Sequence, residues 1–291
     1  MKERNISENY LFAQEIISGI GKPTRGGNVL LKLDISKAYD CMSWFFIVQV
    51  LRKFGFGERF IDMVWRLVFN VWFSIIVNGA PYDFFKSTRG LRQGDSLSLA
   101  LLVIGAKVLS RGLNNLASQL GFLRFKVPNG CPQLTHLAFA DDILIFANES
   151  TAPLKKIMKV LDSYQKLSGQ LLNVQKSGYL AHPSLSHLRQ RVIEHITGFH
   201  QQHFPAGYLG FPLYFGRCKA SYYGEVRQAI MGRIRSWKSK LLSLGGKVIL
   251  IKHVLSSIPI HLLSPTIIPS VVFLEIEQAY ANSLWGGSQE G

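Results

Sequence analysis

The stretch Leu137-Ala138-Phe139-Ala140-Asp141-Asp142-Ile143-Leu144-Ile145-Phe146 sets two short apolar runs on either side of a pair of adjacent aspartates. It reads as strand, acidic turn, strand. Two like charges at a hairpin tip repel each other and add little to folding. Magnesium takes hard carboxylate oxygens and leaves positions open for phosphates, so such a pair suits a divalent cation. Aspartate is also common in turns for local hydrogen-bonding reasons. Taken alone, the pair is open between a solvated acidic turn and a cation site.

Working outward, a buried strand is predicted over Val29-Leu30-Leu31-Lys32-Leu33, ending at Asp34. If this strand neighbours the acidic hairpin, Asp34 and Asp141 meet at one sheet edge. Two metal ions about 3.5–4 Å apart could be held there, the arrangement used for in-line phosphoryl or nucleotidyl transfer. Helices are predicted over Glu8 to Ser18 with Ser7 as N-cap, and over Ser43 to Phe54 and Glu58 to Phe69, split at Gly55-Phe56-Gly57. Phe73 to Val77, then Asn78-Gly79, then Tyr82 to Lys86 carry the strongest short hairpin signal. Asp95 caps a long apolar helix to about Leu113; a further helix runs from Pro153 to Leu167, and Ser177 to Ala181 is a strand. Gly207 to Phe215 reads as a turn with two short arms. The remainder is mostly helical, broken at Gly245-Gly246, Pro259 and Pro269. Helices mixed with antiparallel strands give an α+β class rather than a doubly wound sheet.

Composition narrows the partners. The 291 residues carry 33 Lys and Arg against 18 Asp and Glu, a formal charge of +15, which points to a polyanion, most often nucleic acid. No uninterrupted apolar run reaches the roughly 18 residues of a spanning helix, and Met1-Lys2-Glu3-Arg4-Asn5 leads into no signal-peptide core. Hence no membrane partner is expected. Cys41, Cys131 and Cys218 are odd in number and far apart, which suits reduced thiols inside a cell. His195, His200 and His203 with Cys218 fit no zinc spacing and read as loop surface. Between Tyr214 and Lys252 lie nine basic residues, Arg233, Arg235, Lys238 and Lys240 among them, against one acid, Glu225. Charge runs are usually solvated faces, but the missing acids favour a surface that tracks phosphates. The shift near residue 214 predicts two regions, 1–213 and 214–291.

At this point the residues name a family. Lys32-Leu33-Asp34-Ile35-Ser36-Lys37-Ala38-Tyr39-Asp40, Arg89-Gly90-Leu91-Arg92-Gln93-Gly94-Asp95, Phe139-Ala140-Asp141-Asp142, Ser168 to Ser177 and Tyr208-Leu209-Gly210-Phe211-Pro212-Leu213 stand in order. With Leu242-Ser243 and Lys247 to Lys252, this series resembles the reverse transcriptase of LINE-type (non-LTR) retrotransposons, especially those of plant genomes. The resemblance implies an α+β right-hand polymerase: a palm built on an antiparallel sheet with packed helices, partial fingers, and a helical thumb over 214–291. It implies RNA-directed DNA synthesis by two-metal nucleotidyl transfer, with two Mg²⁺ ions (Mn²⁺ as substitute), an RNA template, a DNA primer and deoxynucleoside triphosphates, acting in the nucleus. Protein partners are not specified by it.

Roles carry over by position. Asp34, Asp141, Asp142 and the Ile35 carbonyl match metal ligands, and Tyr39 matches an aromatic ring that clashes with a ribose 2′-hydroxyl. Arg92, Gln93 and Gly94 match the loop at the incoming nucleotide. Lys176 matches a general acid toward pyrophosphate. Tyr208, Leu209 and Gly210 match a primer grip, and Arg233, Arg235, Lys238 and Lys240 a duplex-holding thumb. Asp95 and Asp40 read as helix caps, and Arg89 as a phosphate neighbour. Where the family has Pro-Leu-Ser-Pro after Asp95, this chain has Ser96-Leu97-Ser98-Leu99; losing proline at the first helical position costs less than about 1 kcal/mol. The chain opens just before its first acid-bearing strand, so the expectation is an N-terminally truncated piece without the outer fingers, upstream endonuclease or downstream Cys/His knuckle. The alternative function is a catalytically silent remnant that only binds nucleic acid.

Overall fold

The computed structural model describes residues 6–22, 26–139, 141–234, 242–255 and 269–285. They form two compact units. One comprises residues 20–127 and 132–202; the other comprises the described parts of 1–19, 128–131 and 203–291.

The first unit is built on a six-stranded sheet. Its central strand is β1 (Asn28–Ser36), flanked by β5 (Asp142–Asn148), beyond which lies β4 (His136–Phe139). On its other side β1 pairs with β7 (Gly178–Ala181) and, at its far end, with the two-residue β6 (Leu171–Leu172); β8 (His200–Gln201) adds a parallel edge to β7. Alternation along β1 explains the layering. Val29, Leu31, Leu33 and Ile35 are buried with Ile143, Ile145 and Ala147 of β5 under three helices: α2 (Trp44–Lys53), α4 (Ser96–Ala117) and α5 (Thr151–Ser168). Lys32, Asp34 and Ser36 take the opposite face and are only half-buried.

The helix ends follow local chemistry. Ser43 caps α2 by accepting from the Phe46 amide, and Asp95 caps α4 by accepting from Leu97, at 3.0 Å. The sequence reading gave the first of these roles to Asp40, which instead lies exposed in the turn before the cap. The helix predicted over Glu58 to Phe69 is an α-helix, α3 (Glu58–Val64), that widens into one π turn, Trp65–Phe69. By length and a mean hydropathy of 1.5, α4 is apolar enough to cross a membrane. Lys107 and Arg111 interrupt its apolar run, which is why counting uninterrupted residues overlooked it. Leu101, Leu102, Gly105, Leu109 and Leu113 form its buried stripe, the pattern of a core helix.

The hairpin β2 (Trp72–Val77) and β3 (Ala80–Lys86) turns at Asn78-Gly79 as predicted and pairs with no other strand among the described residues. A bulge with Asp83 at φ +57° shifts its register. Both faces stay exposed and apolar: Trp72, Ile76 and Phe84 on one, Ile75, Tyr82 and Phe85 on the other. The helix α6 (His187–Thr197), capped by Ser186, was not predicted; it places His195 on a helix and not in a loop.

In the second unit α1 (Ile6–Ile17) packs on the hairpin β9 (Ala206–Tyr208) and β10 (Phe211–Leu213). Tyr10 stacks on Phe211 with ring centroids 4.7 Å apart and donates to the Pro212 carbonyl at 3.1 Å. Gln14 clips Tyr214 twice, donating to its carbonyl and accepting from its amide. Ser7, expected as the cap of α1, lies inside the helix. A second apolar cluster joins Tyr223 and Ile230 to Val272 and Ile276 of the helix Ser270–Trp285. The predicted break at Gly245-Gly246 is instead the first turn of a helix, Leu244–Leu250, capped by Ser243. Pro259 lies outside the described residues.

Candidate active site

Asp34 and Asp142 are direct partners in the β1–β5 register, so their side chains leave the same sheet face at adjacent points. Asp141 occupies the turn just before β5, and its carbonyl accepts from the Ile35 amide at 3.3 Å. The sequence reading paired Asp34 with Asp141; the register sets Asp142 across from Asp34 and leaves Asp141 exposed at the tip. Ala140 lies outside the described residues.

The backbone of Asp34 falls in the gap between β7 and β6, where no strand partner reaches it on that side. Two polar residues fill the gap: the Asn173 amide donates to the Asp34 carbonyl at 2.9 Å, and the Asp34 amide donates to Ser177 Oγ at 3.1 Å. Lys176 belongs to this same segment; its side chain is exposed, and its amide donates to Asn173 Oδ1. Lys32 is a further member of the site. Two residues before Asp34 on β1, it shares the carboxylate face and lies opposite Leu144. The period of two in the sequence carried that signal.

Burial raises the Asp142 carboxyl above the ordinary aspartate range; the Lys32 ammonium opposes this, and the Asp141 and Asp34 carboxylates add to it. A raised carboxylate holds its proton more tightly folded than unfolded. That contribution favours the fold below the ordinary carboxylate range and is lost as pH rises through the folded-state value. At neutral pH the ionised group therefore costs stability. Asp142→Asn is expected to raise the melting temperature of chelator-treated protein near neutral pH and to leave it unchanged in acid. An unchanged or lower value at neutral pH would contradict this electrostatic reading.

Tyr39 follows in a turn that two other segments hold. Chain reversal after β1 uses Lys37 at φ +45°, a conformation costly for a side chain with a Cβ. Four of the carbonyls from Lys37 to Met42 then accept from specific neighbours. Lys37 accepts from the Cys41 amide, Ala38 from Gln170 Nε2 at 2.8 Å, Tyr39 from the Leu91 amide at 2.8 Å, and Met42 from the Gly90 amide at 2.9 Å. A Cβ at Gly90 would sit 2.7 Å from the Asp40 carbonyl oxygen, and one at Gly169 2.7 Å from that of Cys41. The indole of Trp44 donates back to the Gly90 carbonyl at 2.6 Å. Tyr39 thereby lies beside the loop that continues into Arg92, Gln93 and Gly94. Gln93 and Gly94 are exposed, while Arg92 is tied to the Leu67 carbonyl and to Asp95.

Among the described residues no three His, Cys, Asp or Glu side chains come together as a group that could hold a metal ion. Asp34 and Asp142 are register partners, with Asp141 next in sequence, and their hard carboxylate oxygens are the donor type that Mg²⁺ takes. In the other unit Tyr208, Leu209 and Gly210 form the tip of the β9–β10 hairpin; the Tyr208 side chain is buried and the Gly210 backbone exposed. Arg233 is exposed near the end of α7 (Gly224–Ile234). Arg235, Lys238 and Lys240 lie outside the described residues.

A sequence model of the family described as reverse transcriptase (RNA-dependent DNA polymerase) matches residues 3–213. The Pol polyprotein of the type-2 retrotransposable element R2DM of Drosophila melanogaster is 33% identical over 147 residues, 50% of this chain and 13% of that protein. The transposon TX1 149 kDa protein of Xenopus laevis is 24% identical over 293 residues, 98% of this chain and 21% of that protein. Among solved structures, Candida albicans telomerase in complex with a telomeric RNA fragment superposes with a TM-score of 0.48 at 11% identity, covering 97% of this chain and 48% of that one. The chain thus spans only 13% and 21% of the two retrotransposon proteins.

Proposed function

The chain belongs to the reverse transcriptase (RNA-dependent DNA polymerase) family and is similar within it to retrotransposon Pol proteins, and from that premise we propose that it extends a DNA primer on an RNA template during retrotransposition. The observation that carries this reading is the register pairing of Asp34 with Asp142, with Asp141 one residue away at the same sheet end. In this reading residues 1–213 hold the palm with part of the fingers, and 214–291 the thumb.

Asp34, Asp141, Asp142 and the Ile35 carbonyl would hold two Mg²⁺ ions. Bound there, the ions would supply a lowered pKa at the primer hydroxyl and charge neutralisation at the leaving pyrophosphate. The primer 3′-hydroxyl loses its proton to solvent and attacks the α-phosphate of a deoxynucleoside triphosphate; the bond to the α,β-bridging oxygen breaks and pyrophosphate leaves. Lys32, on the carboxylate face, limits the repulsion among the three acids. Tyr39 presents its ring to the sugar and excludes a 2′-hydroxyl. Gln93 and Gly94 offer an amide side chain and exposed backbone to the nucleotide, with Arg92 behind them. Lys176, exposed and on the segment bonded to Asp34, passes a proton to pyrophosphate. Tyr208, Leu209 and Gly210 form the primer grip in this reading, and because the Tyr208 ring is buried the contact would come from the backbone of Leu209 and Gly210. Arg233, Arg235, Lys238 and Lys240 track the duplex phosphates, and the site of action is the nucleus.

Primer extension on an RNA template tests the assignment. We expect deoxynucleotide incorporation that chelation abolishes and Mg²⁺ restores. Salt-dependent duplex binding with no metal-dependent incorporation would instead establish a silent nucleic-acid-binding remnant, a role that the +15 charge alone would serve.

A further inference from the structure

We propose that Gln170 is a positioning residue for sugar selection: it pins the Ala38–Tyr39 peptide and so sets where the Tyr39 ring stands. The proposal rests on the reading of Tyr39 as the sugar filter. Gln170 is 2% exposed and lies 132 positions away in sequence from Ala38, whose carbonyl it holds. Its amide has one orientation that satisfies both partners. The Ala38 carbonyl can only accept, so it faces Nε2, at 2.8 Å; the Tyr164 hydroxyl donates to Oε1 at 2.6 Å. Tyr164 is itself buried on α5, within the main core. The glutamine is therefore a rigid strut between the core helix and the turn.

The geometry of the turn gives that strut its leverage. A peptide group is planar, so fixing the Ala38 carbonyl fixes the amide of Tyr39 as well. The next peptide is fixed by the bond from the Leu91 amide to the Tyr39 carbonyl, at 2.8 Å. With both flanking planes held, the Cα–Cβ direction of Tyr39 is determined, and its ring rests partly buried against the core. Of the two pins, the one from Leu91 is a backbone amide that every residue except proline would keep. The one from Gln170 is a side-chain bond that an ordinary substitution removes. A filter that works by steric clash depends on ring placement to a fraction of an ångström, so loosening this pin should relax discrimination without removing the ring.

The test compares kcat/KM for ribonucleotides and deoxynucleotides in wild type, Tyr39→Ala, Gln170→Leu, Gln170→Met and Tyr164→Phe. The same ratio is read as equilibrium affinities on a chain-terminated primer, where no chemistry occurs. Tyr39→Ala is expected to shift the ratio toward ribonucleotides by about 10- to 100-fold, and each Gln170 variant by roughly 3- to 10-fold. Tyr164→Phe removes a buried hydrogen bond of the same network but keeps the bond to Ala38. It should lower the melting temperature and, by freeing only the core end of the strut, shift the ratio less than either Gln170 variant. The methionine variant keeps the length of the side chain and serves if the leucine variant does not fold. A shift with Tyr39→Ala but none with either Gln170 variant overturns the proposal and leaves the filter standing. No shift with Tyr39→Ala removes the filter, and the proposal with it. An equal shift with Tyr164→Phe would reduce the effect to general loosening and also overturn the positioning role.

Discussion

On the two-metal reading proposed above, Asp141→Asn is expected to reduce nucleotide incorporation by a factor of about 10³ or more, because a neutral amide would not replace a carboxylate in holding a catalytic cation. Asparagine keeps the size and shape of the side chain. Asp141 is exposed in the turn before β5, so the substitution removes no packing; salt-dependent duplex binding should match wild type, and the melting temperature should not fall, since one of the charges repelling Asp142 is gone. The control is Asp162→Asn, which takes a charge from an exposed helical pair with Lys166, 2.8 Å across, and should leave incorporation unchanged. Wild-type incorporation by Asp141→Asn would remove the carboxylates from the reaction. The paired substitution Asp34→Asn should be as severe, since its side chain leaves the same face directly across from Asp142.

The second large effect is structural. Gly90→Ala would place a methyl group 2.7 Å from the Asp40 carbonyl oxygen and 3.1 Å from its carbonyl carbon, with φ at +92°. Strain in that backbone region costs of order 1–3 kcal/mol, and forcing backbone apart in a packed site a similar amount. A loss of roughly 2–5 kcal/mol is expected, read as a lower denaturation midpoint with an unchanged slope. Gly94→Ala supplies the comparison. Its φ is +90°, but nothing lies within 4 Å of the added carbon, so it should cost only the strain. If both substitutions cost the same, the apposition of Gly90 to the Asp40 carbonyl contributes nothing.

Much of this was legible in the sequence because it rests on local rules. The alternation around Asp34, the Asn78-Gly79 turn, the Asp95 cap and the two arms around Leu209-Gly210 are each fixed by a few consecutive residues. The ordered blocks around Asp34, Gln93 and Asp141 identified the family. What escaped depends on distant pairing. β1 runs two residues past Asp34 because Ile35 and Ser36 find partners in Leu172 and Leu171, and no local pattern announces them. Asp40 was a plausible cap until the turn it lies in placed Ser43 at the helix start. Gly245 and Gly246 were taken as a break on propensity alone, which a Ser243 cap outweighs. Gln170, Asn173 and Ser177 stand in one of the family blocks, but their individual roles were not legible there, because their partners on Ala38 and Asp34 lie more than 130 positions away.

The β2–β3 hairpin has a practical consequence for anyone handling this chain. Apolar on both faces and unpaired at both edges among the described residues, it is a template for association between copies. At low ionic strength the net charge of +15 keeps copies apart. Salt strong enough to strip bound nucleic acid shortens the screening distance from about 10 Å at 0.1 M to about 3 Å at 1 M. Strongly excluded salts such as sulfate also strengthen apolar burial. A high-salt wash that would strip a bound polyanion is therefore the step at which association through this hairpin is expected, read as a rise in light scattering that is smaller in chloride than in sulfate.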